Sequence, residues 1–124
     1  MDTIKLGKQN IHDREVLREK NDCTVRALME VLGVSYLEAY GYLIGAGRKK
    51  NRGINCHRLF DSLSKAVMPR PNMMVRNYIT YIAHTGKFVI ETRGHVFAVI
   101  EGEIKDGEFP QLNLNNHVVK AWRF

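Results

Sequence analysis

Cys23 is the residue around which chemistry can be built. It stands in Asn21-Asp22-Cys23-Thr24-Val25-Arg26-Ala27-Leu28, a stretch that reads as the entry into a helix. Asp22 suits the N-cap, where its carboxylate accepts backbone N–H bonds that the first turn leaves unpaired. Val25, Leu28, Met29 and Leu32 then recur at helical spacing, and Gly33 supplies the stop. The helix is expected from about Asp22 to Leu32. Cys23 therefore falls at the positive end of a helix dipole, which favours thiolate over thiol. That placement suits a nucleophile. The competing reading is a small buried hydrophobe, the common fate of a free cysteine, and a partner must decide between them.

The partner comes from the last third of the chain. His-Val-Phe-Ala-Val-Ile, residues 95–100, has the β-branched and aromatic makeup of a buried strand. Glu101-Gly102 suits a tight turn into Glu103-Ile104-Lys105-Asp106. A two-residue turn puts Ile100 opposite Glu103 and Phe97 opposite Asp106. Alternation then lays His95, Phe97 and Val99 on the same face as Ile104 and Asp106, with Asp106 diagonal to His95. A histidine oriented by a carboxylate is the base half of a nucleophilic triad. The pieces occur in the order Cys23, His95, Asp106.

The elements that must position them divide the chain into a helical part and a stranded part. Met1 to Lys20 is a lead-in, charge-balanced and poor in apolar residues. Residues 22–84 are mainly helical. After the first helix, Ser35-x-x-Glu38 has the capping-box form and opens a second helix to about Ile44. Gly41 and Gly45 make that helix short or closely packed. A third helix is expected from Asn55 as N-cap through Leu59, Phe60, Leu63 and Val67, ended by Met68-Pro69-Arg70-Pro71. Val75 to Ala83 offers a weaker helical stripe. Residues 87–124 turn to strands: 87–91, 95–100, 103–106 and a final one over 117–124. The fold class is α+β, a single domain over residues 1–124 with helices first and an antiparallel meander packed against them.

Helix-borne cysteine, intervening helices, then histidine on one strand and an acid on the next is the order of papain-like cysteine peptidases. More narrowly, Asn21 to Leu28, the Gly47-Arg48 to Arg52-Gly53 loop, Thr92-Arg93-Gly94-His95, Glu101-Gly102…Asp106 and the closing Val119-Lys120-Ala121-Trp122-Arg123-Phe124 resemble small papain-like proteins of bacteriophage and bacterial genomes. The resemblance implies a compact papain-like domain with Cys23 as nucleophile, His95 as general base and then acid, and Asp106 as orienter. Such enzymes place a glutamine several residues before the cysteine as an oxyanion donor. Gln9 is far from Cys23 and Asn21 close to it, so Asn21 takes that role in this reading, beside the backbone N–H of Cys23.

Several residues carry blander readings. Cys56 also follows a helix-capping residue, yet neighbouring His57 diverges from it on a helix, so Cys56 is assigned to packing. A zinc site from Cys23, Cys56 and some of His12, His57, His84, His95 and His117 lacks any ligand pair at recognised spacing. No metal or cofactor is expected. Asn113, Asn115 and Asn116 are alternative orienters, although asparagine in a loop more commonly makes turns.

With 124 residues, 44% hydrophobic and 26% charged, the chain has the profile of a globular domain with a modest core. No apolar run approaches membrane-spanning length and the N-terminus has no signal-peptide core. A cytoplasmic setting with reduced thiols is therefore expected, in a host cell or a virion if the chain is phage-encoded. The formal charge is +6 and is concentrated between Ala46 and Arg76, where eight Lys and Arg face Asp61 alone. Arg48, Lys49, Lys50 and Arg52 form its densest part, a solvated loop or a surface for phosphate or an acidic protein. Two functions follow. One is a thiol hydrolase, a cysteine peptidase or amidase with a peptide or protein substrate. The other is a catalytically silent module that binds protein or nucleic acid through the basic region.

Overall fold

The computed structural model describes residues 23–46, 57–105 and 114–124. Residues 1–20, Asn21, Asp22, the basic loop with Arg48, Lys49, Lys50 and Arg52, Asn55, Cys56, Asp106 and Asn113 lie outside the described residues. The elements run α1 (Cys23–Leu32), α2 (Tyr36–Gly45), α3 (His57–Leu63), β1 (Ala66–Val67), α4 (Val75–Tyr81), β2 (Lys87–Thr92), β3 (His95–Ile100), β4 (Glu103–Lys105) and β5 (Lys120–Arg123).

Helix α1 ends where its glycine directs. Gly33 takes φ +65°, and Val34 N–H donates to the Met29 carbonyl at 3.2 Å, the closing bond of a Schellman cap. Helix α2 starts on Ser35, whose Oγ accepts from Glu38 N–H at 3.2 Å, as the capping box requires. Tyr36, Ala39 and Leu43 are buried on its inner side, while Leu37, Tyr42 and Ile44 stay exposed. Gly41 and Gly45 lie on open surface with nothing near a notional Cβ. They serve no close packing among the described residues.

The third helix is shorter than its apolar pattern suggests. It stops at Leu63, and Val67, expected on it, lies on strand β1. Lys65 N–H donates to Arg123 O at 2.7 Å and Met68 N–H to Ala121 O at 3.0 Å. The edge of β5 thus captures this segment, and Met68, immediately before Pro69, prefers extended backbone in any case. Only Phe60 is buried on α3, so little packing opposed the exchange.

All strand pairings are antiparallel, in the order β1-β5-β2-β3-β4. Strands β2, β3 and β4 form the expected meander. The final strand instead returns to pair with β2 and is flanked on its other side by β1. Arg93-Gly94 joins β2 to β3, with Thr92 opposite His95. Glu101-Gly102 joins β3 to β4 with φ of +50° and +78°, the signs of a type I′ turn. Ile100 faces Glu103 as expected, followed by Val99–Ile104 and Ala98–Lys105. The expected Phe97–Asp106 step lies outside the described residues.

Alternation sorts the sheet into two buried faces. Val89, Val96, Ala98 and Trp122 meet Val25, Leu28 and Val31 of α1, Tyr36 and Leu43 of α2, and Phe60 of α3. On the other face Phe88, Ile90, Phe97, Val99 and Ala121 meet Val75 and Tyr78 of α4. Strands covered on both sides read as continuous apolar runs, which explains Phe88-Val89-Ile90 and Val96 to Ile100. The architecture is α+β with helices on both faces of the sheet, rather than on one.

Candidate active site

Cys23 is the first residue of α1 and His95 the first residue of β3. Helix α1 lies across β3, driven there by Val25, Leu28 and Val31 against Val96 and Ala98. Burying each such side chain contributes about 1.5–3 kcal/mol. This packing carries the N-terminal end of α1 to the start of β3, and Cys23 and His95 meet.

The Cys23 thiol is half-buried, and burial by itself raises its pKa. Opposing that, the thiol shares a hydrogen bond with the His95 side chain, accepts the Val96 backbone N–H, feels the charge of His95 and bonds with the Thr24 side chain. These contacts outweigh burial and hold Cys23 below the ordinary thiol value. Its position at a helix N-terminus acts in the same direction. The sulfur is thus surrounded by donors that favour the thiolate. The His95 ring stacks on Phe97 with centroids 5.9 Å apart and planes at 27°, and Phe97 is itself 1% exposed. A buried aromatic two residues along the strand fixes the lie of the imidazole.

The pair foreseen from the sequence is therefore brought together. Its foreseen orienter Asp106 and oxyanion donor Asn21, and the binding residues Arg48, Lys49, Lys50 and Arg52, lie outside the described residues. Asn115, one of the three alternative orienters, instead accepts a bond from Arg76 Nη2 at 3.0 Å.

A second polar cluster on the α1 face was not foreseen. Glu91 lies opposite Val96 on one side and Lys120 on the other, one strand over from the residue whose amide reaches Cys23. His57 Nε2 donates to the Glu91 carboxylate, 2.8 and 3.0 Å from its two oxygens. The His57 ring also packs on Trp122 at 5.4 Å. Trp122 Nε1–H donates to Asp61 at 2.7 Å, and Lys120 lies 3.4 Å from Asp61 and 5.3 Å above the indole. The indole N–H bond is the main cause of the lowered Asp61 pKa. One signal for the cluster was available: Glu91 has the parity of Val89, so its inward carboxylate needed a partner.

Among the described residues no group of three or more His, Cys, Asp or Glu is arranged to hold a metal ion, and no helix is long and apolar enough to cross a membrane. Compared with protein-family models, curated proteins and solved structures, the chain matches none.

Proposed function

We propose that the protein is a papain-like thiol hydrolase that cleaves an amide or peptide bond through Cys23 and His95. One observation carries the reading: a cysteine at a helix N-terminus whose thiol is held below its ordinary pKa by the side chain of a strand-borne histidine. In this reaction His95 takes the thiol proton and the thiolate adds to the substrate carbonyl. The tetrahedral adduct collapses to a thioester as His95 protonates the departing amine. Water then attacks the thioester with His95 as base, which releases the acid and restores the thiol. The backbone N–H of Cys23 and the side chain of Asn21 serve as oxyanion donors, and Asp106 orients the imidazole. The test is intact-mass detection of an acyl adduct after mixing with an activated ester. An adduct on Cys23 is expected, lost in Cys23→Ala and slowed in His95→Ala. Equal acylation of Cys56, or none at Cys23, overturns the reading.

A second reading is favoured by one surface. A recess lined by Lys65, Lys87 and Arg123 against Glu101 has Val31, Leu32, Leu63 and Phe124 as its apolar lining, and no ion pair occupies those three cations among the described residues. A basic rim over an apolar floor suits single-stranded nucleic acid, and this reading makes the protein a binding module. It predicts binding to a labelled oligonucleotide that weakens as salt rises and is lost in Lys65→Glu/Lys87→Glu. Binding unchanged in that variant removes this reading.

A further inference from the structure

Cys23, His95, His57, Glu91 and Lys120 gather at one end of the sheet. Cys23 and His57 open α1 and α3, Glu91 is the last residue but one of β2, and His95 and Lys120 begin β3 and β5. The Val96 amide that reaches Cys23 belongs to the residue directly opposite Glu91. Cross-strand partners share a sheet face and lie about 4.5–5.5 Å apart, so Glu91 is one residue's breadth from the nucleophile's own donor. Val89, two residues earlier on β2, faces the α1 core with Val96, and alternation puts Glu91 on that face. A carboxylate there is costly to desolvate without partners. His57 supplies one, its Nε2 lying 2.8 and 3.0 Å from the two oxygens. Lys120, directly opposite on β5, is well placed to supply another. Its ammonium goes instead to Asp61 at 3.4 Å and lies over the Trp122 ring. A carboxylate offers about four acceptor positions, and the Glu91 side chain keeps 20% of its surface exposed. It is a reachable anion beside the nucleophile, with room for a stronger donor.

We propose that Glu91 is a specificity-determining residue that accepts the cationic side chain of a lysine or arginine next to the scissile bond, while His57 holds the carboxylate in place. The inference rests on the thiol-hydrolase reading and names the substrate class of that site. The substrate's ammonium or guanidinium donates to the Glu91 oxygens, and its methylene stem lies along the half-exposed His57 ring. A neutral or acidic side chain covers Glu91 without adding a donor, and that uncompensated desolvation discriminates against it. The competing account is structural: the His57–Glu91 pair only ties α3 to β2.

The experiment measures acylation on the Cys23 peptide by mass spectrometry. The probes are thioesters of acetylated dipeptides carrying lysine, norleucine or glutamate at the first or second residue from the ester. At one of these positions the lysine ester is expected to react about tenfold or more faster than the norleucine ester. Glu91→Gln keeps an oxygen for His57 and is expected to abolish that preference with the norleucine rate unchanged. Glu91→Lys is expected to turn the preference toward the glutamate ester. The norleucine rate checks that each variant keeps Cys23 and His95 in register. A mere tie between α3 and β2 predicts variants in which Tm falls and all esters slow alike, and that result overturns the proposal. Equal lysine and norleucine rates in the parent at both positions, or a lysine preference that survives Glu91→Gln, also overturn it and leave the hydrolase reading standing. No acylation of Cys23 by any of the esters overturns the hydrolase reading, and the role of Glu91 with it.

Discussion

Replacing His95 by alanine isolates the contact on which the site depends. In the parent, burial raises the Cys23 pKa, and the His95 bond, the Val96 amide, the His95 charge and Thr24 together more than reverse it. His95→Ala removes the first and third of the lowering contributions and leaves burial opposed only by the amide and Thr24. A hydrogen bond to a charged group contributes about 1.5–3 kcal/mol, which corresponds to roughly one to two pH units. The thiolate population at pH 6 should thus fall about ten- to a hundredfold. A more basic thiolate is a better nucleophile, with a Brønsted slope of about 0.4–0.5, so the alkylation rate at pH 6 should fall only about three- to tenfold. The assay is iodoacetamide labelling against pH, read on the Cys23 and Cys56 peptides by mass spectrometry. The Cys23 profile should move to higher pH in His95→Ala while that of Cys56 stays in place. A Cys23 profile that does not move refutes the reasoning, because the lowered pKa would then come from the helix terminus and the Val96 amide alone.

Three further outcomes follow from the packing and charges. Leu28→Ala, at a fully buried position where α1 meets β3, should cost about 2–5 kcal/mol in denaturant unfolding and loosen the register of Cys23 against His95. Glu30 has its pKa raised by burial, against the pull of Lys105. A raised carboxyl pKa means the folded state holds its proton more tightly, so this contribution improves stability as pH falls through the folded value and disfavours folding at neutral pH. Glu30→Gln should therefore raise Tm at pH 7, and the gain should vanish in acid. Gly102→Ala should destabilise by about 1 kcal/mol or more, measured by chemical denaturation, because φ is +78° there and a Cβ would lie 3.2 Å from the His84 carbonyl oxygen.

What could be read from the chain divides along local and non-local lines. The Gly33 stop of α1, the Ser35 cap and the Glu101-Gly102 turn are local, and each depends on a residue whose chemistry admits few alternatives. The meeting of Cys23 with His95 was legible only as an order of residues, since their contact depends on which sheet face α1 covers. Val67 shows the reverse: its place in a helical stripe was real, but main-chain bonds offered by Arg123 and Ala121 decided its fate. The helix α4 was legible as the Val75 to Ala83 stripe, but the sheet face it covers, like the return of β5 to β2, has no signature in a linear pattern of apolar residues. Glu91 illustrates the remaining gap, because its pairing with His57 is a property of surroundings and not of a residue type.

The sheet order has a consequence for how the molecule could be taken apart. Strand β5 follows all others in the chain yet sits inside the sheet, bonded to β1 and β2 and carrying Trp122 into the larger core. A protein cut between β4 and β5 would lack an interior strand, leaving two facing rows of unpaired backbone groups. The excised piece holds in one short peptide the bonds and the indole needed to fill that gap. The fold is thereby suited to fragment complementation, with the reactivity of Cys23 as a built-in readout of reassembly.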